Sequence, residues 1–382
     1  MNLHIVHLST PKNWRGGEQQ IAYLTTELDK NHNEEIKQTV LSPQNSLLSD
    51  FIKNYTRENI AKKNLTTLDV QVLEGKSKFG QARFLAHFCK KNKVNIVHLH
   101  DAHAHTIAVL SSVFFKNKAN FVLSRRVDFP VKNNFFSKYK YNHSSIRKIV
   151  CVSDKIKEIT APSITDTTKL ITIHSGIDLI KFEKTPLKTN TLKQEYHLED
   201  DTLLIGNVAA LAPHKDYITF LETAKILITK LEKQSQKIRF LLIGKEDGAE
   251  NDIEDWLKQN ENIRNYFILT GFRTDIPTIL KELDVFLFTS QTEGLGTSIL
   301  DAFASKVIVV ATAAGGIPES VIHNKTGLLS PIKNTVSLAE NVEKVINDKA
   351  LQMRLIENAS LHLQNFTKEN TAKKTLEIYR SL

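Results

Sequence analysis

Glu293 and Asp301 bracket a glycine-bearing turn, Glu293-Gly294-Leu295-Gly296-Thr297-Ser298-Ile299-Leu300-Asp301. An apolar run ending in small polar residues, Asp284-Val285-Phe286-Leu287-Phe288-Thr289-Ser290, precedes the turn, and helical character follows it to Ala304. A helix that opens on glycine leaves backbone N–H groups and the positive end of its dipole free for an anion. Gly294, Gly296, Thr297 and Ser298 therefore make a candidate phosphate cradle. Carboxylates accept hydrogen bonds from vicinal hydroxyls. The eight-residue separation puts Asp301 about two turns into the helix, roughly on the side of its start. The two acids thus suit a sugar and a ribose on either side of a diphosphate. The plainer reading is a strand, a turn and a helix carrying a surface acid.

Other residues add to this chemistry. Lys215, in Ala212-Pro213-His214-Lys215-Asp216, is a point charge suited to a diphosphate. Gly16 and Gly17, in Trp14-Arg15-Gly16-Gly17-Glu18, lie between a strand and a helix, where glycine lets backbone come close to a ligand. His98-Leu99-His100-Asp101 ends another apolar run, with His103 and His105 just beyond. Four histidines so close suggest a metal. Two sit on a strand and two open a helix, however, and strand-end histidines also pair with backbone carbonyls, so no metal site is predicted. No strand ends in an Asp-x-Asp pair either, so no obligatory metal is expected.

These residues need a scaffold. In the first half, apolar runs at residues 3–8, Ile96–His100, Phe121–Ser124, Ile149–Ser153 and Leu170–His174 are each followed by a helix-length amphipathic stretch. The second half repeats the pattern at Leu203–Val208, Phe240–Ile243, Phe267–Leu269, Val285–Phe288 and Val307–Ala311. Continuous apolar strands alternating with helices indicate parallel sheets covered on both faces, hence two doubly wound α/β domains. The expected division is 1–180, a polar linker at 181–200, 201–362, and a terminal helix at 363–382.

A chain of 382 residues with 41% apolar and 24% charged residues is long enough for two such cores. Two distant cysteines, Cys89 and Cys151, exclude a disulfide framework or a clustered zinc site. The N-terminus reads as a short strand rather than a signal peptide, and no apolar run approaches membrane-spanning length. A cytoplasmic protein is expected, at most peripheral on the inner face of the cytoplasmic membrane. Residues 1–185 carry 28 Lys+Arg against 16 Asp+Glu, whereas the rest is slightly acidic. The basic half should meet an acidic partner, unless its lysines simply solvate a surface. Between Lys132 and Lys148, cations interleave with Phe135, Phe136, Tyr139 and Tyr141, as at an anionic membrane interface. No G-x-G-x-x-G follows the first strand, which argues against a dinucleotide oxidoreductase, and no nucleic-acid-binding module signature is present.

The Glu293–Asp301 segment resembles the E-x7-E signature of glycosyltransferase family 4, retaining enzymes of the GT-B fold, with Asp301 in place of the second Glu. The resemblance covers nearly the whole chain and extends to bacterial lipopolysaccharide and surface-polysaccharide enzymes. It implies two Rossmann-like domains facing across a cleft, and transfer of a hexose from a nucleoside-diphosphate sugar to a glycan or lipid-linked acceptor. It further implies that Glu293 contacts the transferred sugar, that Asp301 holds the nucleotide ribose and that His100 lies near the sugar. Gly16 and Gly17 would approach the donor phosphates and acceptor. Gly206 to Asp216 resembles the donor-phosphate loop: Lys215 matches, Ala210 stands where arginine is usual, and Asp216 where glycine is usual. The Gly244-Lys245-Glu246-Asp247-Gly248 loop would lie beside the nucleotide, and Gly271-Phe272-Arg273 would receive the base. Arg125 and Arg126, in a loop similar to that of surface-polysaccharide members, are candidate phosphate or acceptor ligands. Ala314-Gly315-Gly316-Ile317-Pro318-Glu319 resembles the turn that closes this half-site, and His174-Ser175-Gly176-Ile177-Asp178 the turn before the linker. The alternatives are a nucleotide-sugar epimerase of the same fold, or a basic nucleic-acid- or membrane-binding protein without catalysis.

Overall fold

The computed structural model describes residues 3–32, 35–186, 190–232 and 235–382. The chain forms two units, Met1–Gly176 with Thr367–Leu382, and Ile177–Phe366. The first is built on a parallel sheet of seven strands: β1 (Leu3–Leu8), β2 (Ile36–Ser42), β3 (Leu68–Val72), β4 (Ile96–Leu99), β5 (Asn120–Arg125), β6 (Ile146–Cys151) and β7 (Leu170–Thr172). Their order is β3-β2-β1-β4-β5-β6-β7. The second has six strands: β8 (Leu203–Val208), β9 (Ile238–Ile243), β10 (Phe267–Gly271), β11 (Val285–Phe288), β12 (Ile308–Thr312) and β13 (Leu328–Ser330). Their order, β10-β9-β8-β11-β12-β13, repeats the same winding. Each sheet reverses its direction of growth at its first strand, so the crevices at the carboxyl ends of β1/β4 and β8/β11 are the natural ligand positions.

The central strands of the second sheet are largely apolar because both faces are covered. In the second sheet Ile205, Phe240, Leu242, Val285 and Val310 enter one core, while Leu204, Leu241, Ile243, Phe286 and Val309 enter the other. The sequence expectations omit β2, β3 and β13. β2 carries exposed Lys37 and the buried polar Gln38 inside its apolar run, β3 is a largely exposed edge, and β13 is three residues long.

The chain divides after Gly176, and the segment 181–200 is part of the second unit rather than a free linker. Its residues 187–189 lie outside the described ones. Phe182 and Leu192 are buried in the second core, and the Glu282 carboxylate accepts hydrogen bonds from the Thr191 and Leu192 amides (2.7 and 2.8 Å). Leu363 and Phe366 also belong to that core. The helix Lys368–Arg380 instead joins the first unit, burying Leu376 and Tyr379 against Ile5, Ile96 and Val122. Gly176 is held by Gln20, which donates to its carbonyl (2.8 Å) and accepts from its amide (3.1 Å). A Cβ there would come within 2.3 Å of the Thr367 carbonyl oxygen. Among the described residues, no helix is long and apolar enough to cross a membrane.

Candidate functional site

In the second unit, the loops following β8 and β11 meet at the switch point. Pro213–Lys215 forms one 3-10 turn, and Asp216 is left-handed, with φ 51°. That conformation explains why glycine suits this position. Asp216 compensates for its side chain by accepting hydrogen bonds from the Thr219 amide (3.2 Å) and hydroxyl (2.7 Å) at the start of the helix Tyr217–Glu232. Thr289, just past β11, donates to the Lys215 and Asp216 carbonyls, and the Gln291 amide donates to the His214 carbonyl (2.9 Å). These bonds carry Lys215 to Glu293: the two side chains form an ion pair, and the Lys215 ammonium also sits 5.0 Å from the Phe288 ring centre. Both side chains are mostly buried, at 14% and 17% exposure.

Glu293 is held from behind. The Gly316 amide donates to its carbonyl (2.9 Å), and a Cβ on Gly315 (φ 52°) would meet that carbonyl oxygen at 2.1 Å. The turn likened to a half-site closure therefore acts by fixing the Glu293 backbone. Gly296, with φ 79°, starts the helix Thr297–Ala304 without a side-chain cap. The first amides of a helix have no intrahelical acceptor, so the Thr297 and Ser298 N–H groups are open to an anion. Asp301 lies in this helix, and burial pushes its carboxyl up to about 7, with Lys181 pulling weakly the other way. Gly244 is packed tightly: its Cβ would strike the Ala209 carbonyl oxygen at 1.8 Å, and its amide donates to the Gly271 carbonyl. Phe272 is 71% exposed at the end of β10. The Arg273 guanidinium is engaged by Asp275 (2.9 and 2.8 Å) and Glu195 (2.6 Å), which neutralises it as a phosphate cation. Ala210 supplies no cation.

In the first unit, Gly16 and Gly17 open the helix Gly16–His32, and a Cβ on either meets nothing within 4 Å. Nothing packed around them requires glycine. His100 directly follows β4, beside His98 and His7, with the His98 and His100 ring centres 4.2 Å apart. Burial holds His7 down at about 4, and it pushes His98 and His100 well below the usual histidine value, so all three are neutral. Their candidate ligand atoms lie within 4.8 Å of one another. Five of the six ring nitrogens are nevertheless hydrogen-bonded: His7 to His100 and Gln38, and His98 to Tyr379 and Ser124. His105 bonds the Lys140 carbonyl (3.0 Å), and Asp101 caps the helix Ala102–Phe115 through the His103 and Ala104 amides.

The two arginines differ. Arg125 is buried, donating to the Thr160 hydroxyl (2.7 Å), the Tyr141 hydroxyl (2.7 Å) and the Phe129 carbonyl, so it braces its own loop. Among the described residues, Arg126 makes one weak bond, from Nη1 to the His100 carbonyl (3.4 Å), and its buried Nε has no partner. Of the pair, only Arg126 retains donors aimed at the β4 end. The helix Phe135–Asn142 leaves Phe135 and Phe136 75% and 80% exposed, with Lys132 and Lys138 beside them. The sequence reading missed Thr289, which pins the Lys215 loop, and His7, Gln38 and Tyr379, which surround the histidine pair. Thr289 was legible as a small polar residue at a strand end; the other three come from distant strands and the terminal helix.

Residues 188–362 match the family model of glycosyl transferases group 1. A Staphylococcus aureus capsular polysaccharide biosynthesis glycosyltransferase is 27% identical over 57% of this chain and 57% of its own length. An Escherichia coli UDP-Gal:alpha-D-GlcNAc-diphosphoundecaprenol alpha-1,3-galactosyltransferase is 28% identical over 54% of this chain and 53% of its own. The matched stretches thus span about half the length of these relatives. A Rickettsia africae glycosyltransferase structure superposes with TM-score 0.79 at 20% identity, covering 100% of this chain and 98% of that one. Anabaena HepE, in complex with UDP and glucose, superposes with TM-score 0.77 at 18% identity over the full length of both chains. Residues 188–362 are thus similar to glycosyl transferases group 1, and the two Rossmann-like units share the GT-B fold of the glycosyltransferase structures on which the chain superposes.

Proposed function

We propose that this chain transfers a hexose from a nucleoside-diphosphate sugar to a glycan or lipid-linked acceptor, with retention of configuration, in bacterial lipopolysaccharide or surface-polysaccharide synthesis. The observation that carries this reading is the Lys215–Glu293 pair, held at the β8/β11 switch point next to the open N-terminus of the helix Thr297–Ala304. A cation and free amides gathered at one point match the charge that develops on a departing diphosphate. Glu293, at the same point, is suited to accept hydrogen bonds from sugar hydroxyls. When donor binds, Lys215 turns from Glu293 to phosphate and frees the carboxylate for the sugar. Asp301 takes the ribose, the Gly244 and Gly271–Arg273 loops take the nucleoside through backbone groups, Gly16 and Gly17 admit phosphate or acceptor, and His100 contacts the sugar. Retention rests on the family resemblance.

The acceptor reading is supported by names that include diphosphoundecaprenol acceptors among the relatives. Phe135, Phe136 and the lysines around them would bring the first unit to the anionic inner face of the membrane. Lys215 supplies the cationic role, so turnover should persist in a chelator. Activity abolished by EDTA and restored by a divalent ion would contradict that part. The decisive assay measures nucleoside diphosphate released from a panel of nucleotide sugars, with and without bacterial lipid-linked glycans. Release that requires acceptor supports transfer. Interconversion of the sugar nucleotide without release would make the protein an epimerase instead.

A further inference from the structure

The histidine cluster at the end of β4 has a hydrogen-bond polarity that can be worked out atom by atom. The Gln38 amide nitrogen donates to the Thr25 carbonyl (3.0 Å), and a carbonyl oxygen can only accept, so Gln38 Oε1 is the atom that faces His7. Oε1 can only accept as well, so His7 Nε2 carries the proton (3.2 Å). A neutral imidazole has one proton, which leaves His7 Nδ1 bare and makes it an acceptor. Its partner at 3.2 Å is His100 Nε2, which must therefore carry the His100 proton. His100 Nδ1 is left as a bare lone pair, and it is buried without a partner among the described residues.

A second orphan of the opposite kind belongs to Arg126. Arg126 donates from Nη1 to the His100 carbonyl, and its Nε–H is buried and unbonded. A buried group without a partner costs about 1–3 kcal/mol, so an orphaned acceptor and an orphaned donor on two residues joined through the His100 carbonyl favour an occupant that can donate and accept. A hydroxyl does both. A metal ion fits less well: it would find one bare nitrogen, next to a guanidinium.

We propose that Gln38 and His7 are positioning residues that lock His100 in its Nε2–H tautomer, so that His100 Nδ1 accepts a hydrogen bond from a substrate hydroxyl while Arg126 Nε donates to it. The burial that keeps all three imidazoles neutral maintains the relay at ordinary pH. The tautomer follows from the protein alone; only the identity of the hydroxyl, as that of a sugar, rests on the proposed function.

Long-range proton–nitrogen NMR of the full-length chain with nitrogen-15 histidine tests both parts, with His100 assigned through His100→Gln. The expected wild-type spectrum has His100 protonated at Nε2 and bare at Nδ1. In Gln38→Leu and His7→Leu, checked for folding by thermal melting, a population protonated at Nδ1 should emerge. A wild-type His100 protonated at Nδ1, or folded variants with unchanged tautomer, overturns the relay; the wild-type spectrum decides even if a variant fails to fold. UDP-glucose, UDP-N-acetylglucosamine and GDP-mannose, each against its free nucleoside diphosphate, then probe the occupant. A sugar nucleotide that raises the melting temperature should shift His100 Nδ1, whereas its diphosphate alone should not. Stabilisation with Nδ1 unmoved makes the occupant water and overturns the substrate contact. Absence of stabilisation by any probe counts against the proposed function and leaves the tautomer result standing. In the enzyme assay, Gln38→Leu should weaken donor KM about three- to tenfold, the worth of one neutral hydrogen bond, with a smaller effect on kcat.

Discussion

Lys215 and Glu293 satisfy each other at the switch point of the second sheet, and each has a proposed role toward ligand. Lys215→Ala and Glu293→Ala should each lower turnover about 10²–10³-fold, the range for losing one preorganised electrostatic partner. Their melting temperatures should fall by only a few degrees, because both side chains retain some solvent contact. Wild-type turnover in either variant would remove the pair from the mechanism. Asp301 adds a pH signature. Burial raises its carboxyl, so the folded chain keeps this proton where the unfolded chain has lost it. Its contribution is complete below about pH 4, near the ordinary aspartate value, and is lost as pH rises through about 7. Asp301→Asn removes that loss, so its melting temperature relative to wild type should climb between pH 4 and pH 8. A pH-independent difference would mean that the carboxyl ionises normally in the fold.

At the scale of elements, backbone packing aims these side chains. Gly315→Ala must push against the Glu293 backbone and adopt a left-handed conformation, at a cost of about 2–4 kcal/mol of stability measured by urea unfolding. An unaffected midpoint would show that the turn is not braced there. Asp216 is a finer case: alanine loses the cap and keeps the strained φ of 51°, whereas glycine loses only the cap. Asp216→Ala should therefore be less stable than Asp216→Gly by roughly 1 kcal/mol. The reverse order would contradict the assigned strain. Much of this was legible beforehand, since continuous apolar strands and glycine turns leave local marks: β8 and β11 fall at the expected residues, as does the loop leading to Thr297. What stayed hidden depends on distant partners. Gln38 carries no sequence signal until its position between Thr25 and His7 is known, and Arg125 reads as a phosphate or acceptor ligand until Thr160, Tyr141 and Phe129 claim it. The segment 181–200 reads as a linker because its charges mask Phe182 and Leu192, which are core residues.

On the scale of the whole molecule, the charge is divided as the chain is: the excess of Lys and Arg lies in the first 185 residues, where Phe135 and Phe136 stand exposed. The chain should cosediment with vesicles of anionic lipid at moderate salt, and the double variant Phe135→Ser with Phe136→Ser should lose most of that binding. Equal binding by both would direct the acceptor reading elsewhere. The central proposal, however, belongs to the second unit: that its switch point holds a nucleoside diphosphate. Isothermal titration calorimetry with UDP, GDP, ADP and CDP tests it most directly on the wild-type chain and on Lys215→Ala. At least one diphosphate should bind the wild type and bind Lys215→Ala at least about tenfold more weakly, the equivalent of about 1.4 kcal/mol. Binding of none of the four to the wild type, or equal binding to both proteins, would contradict the assignment.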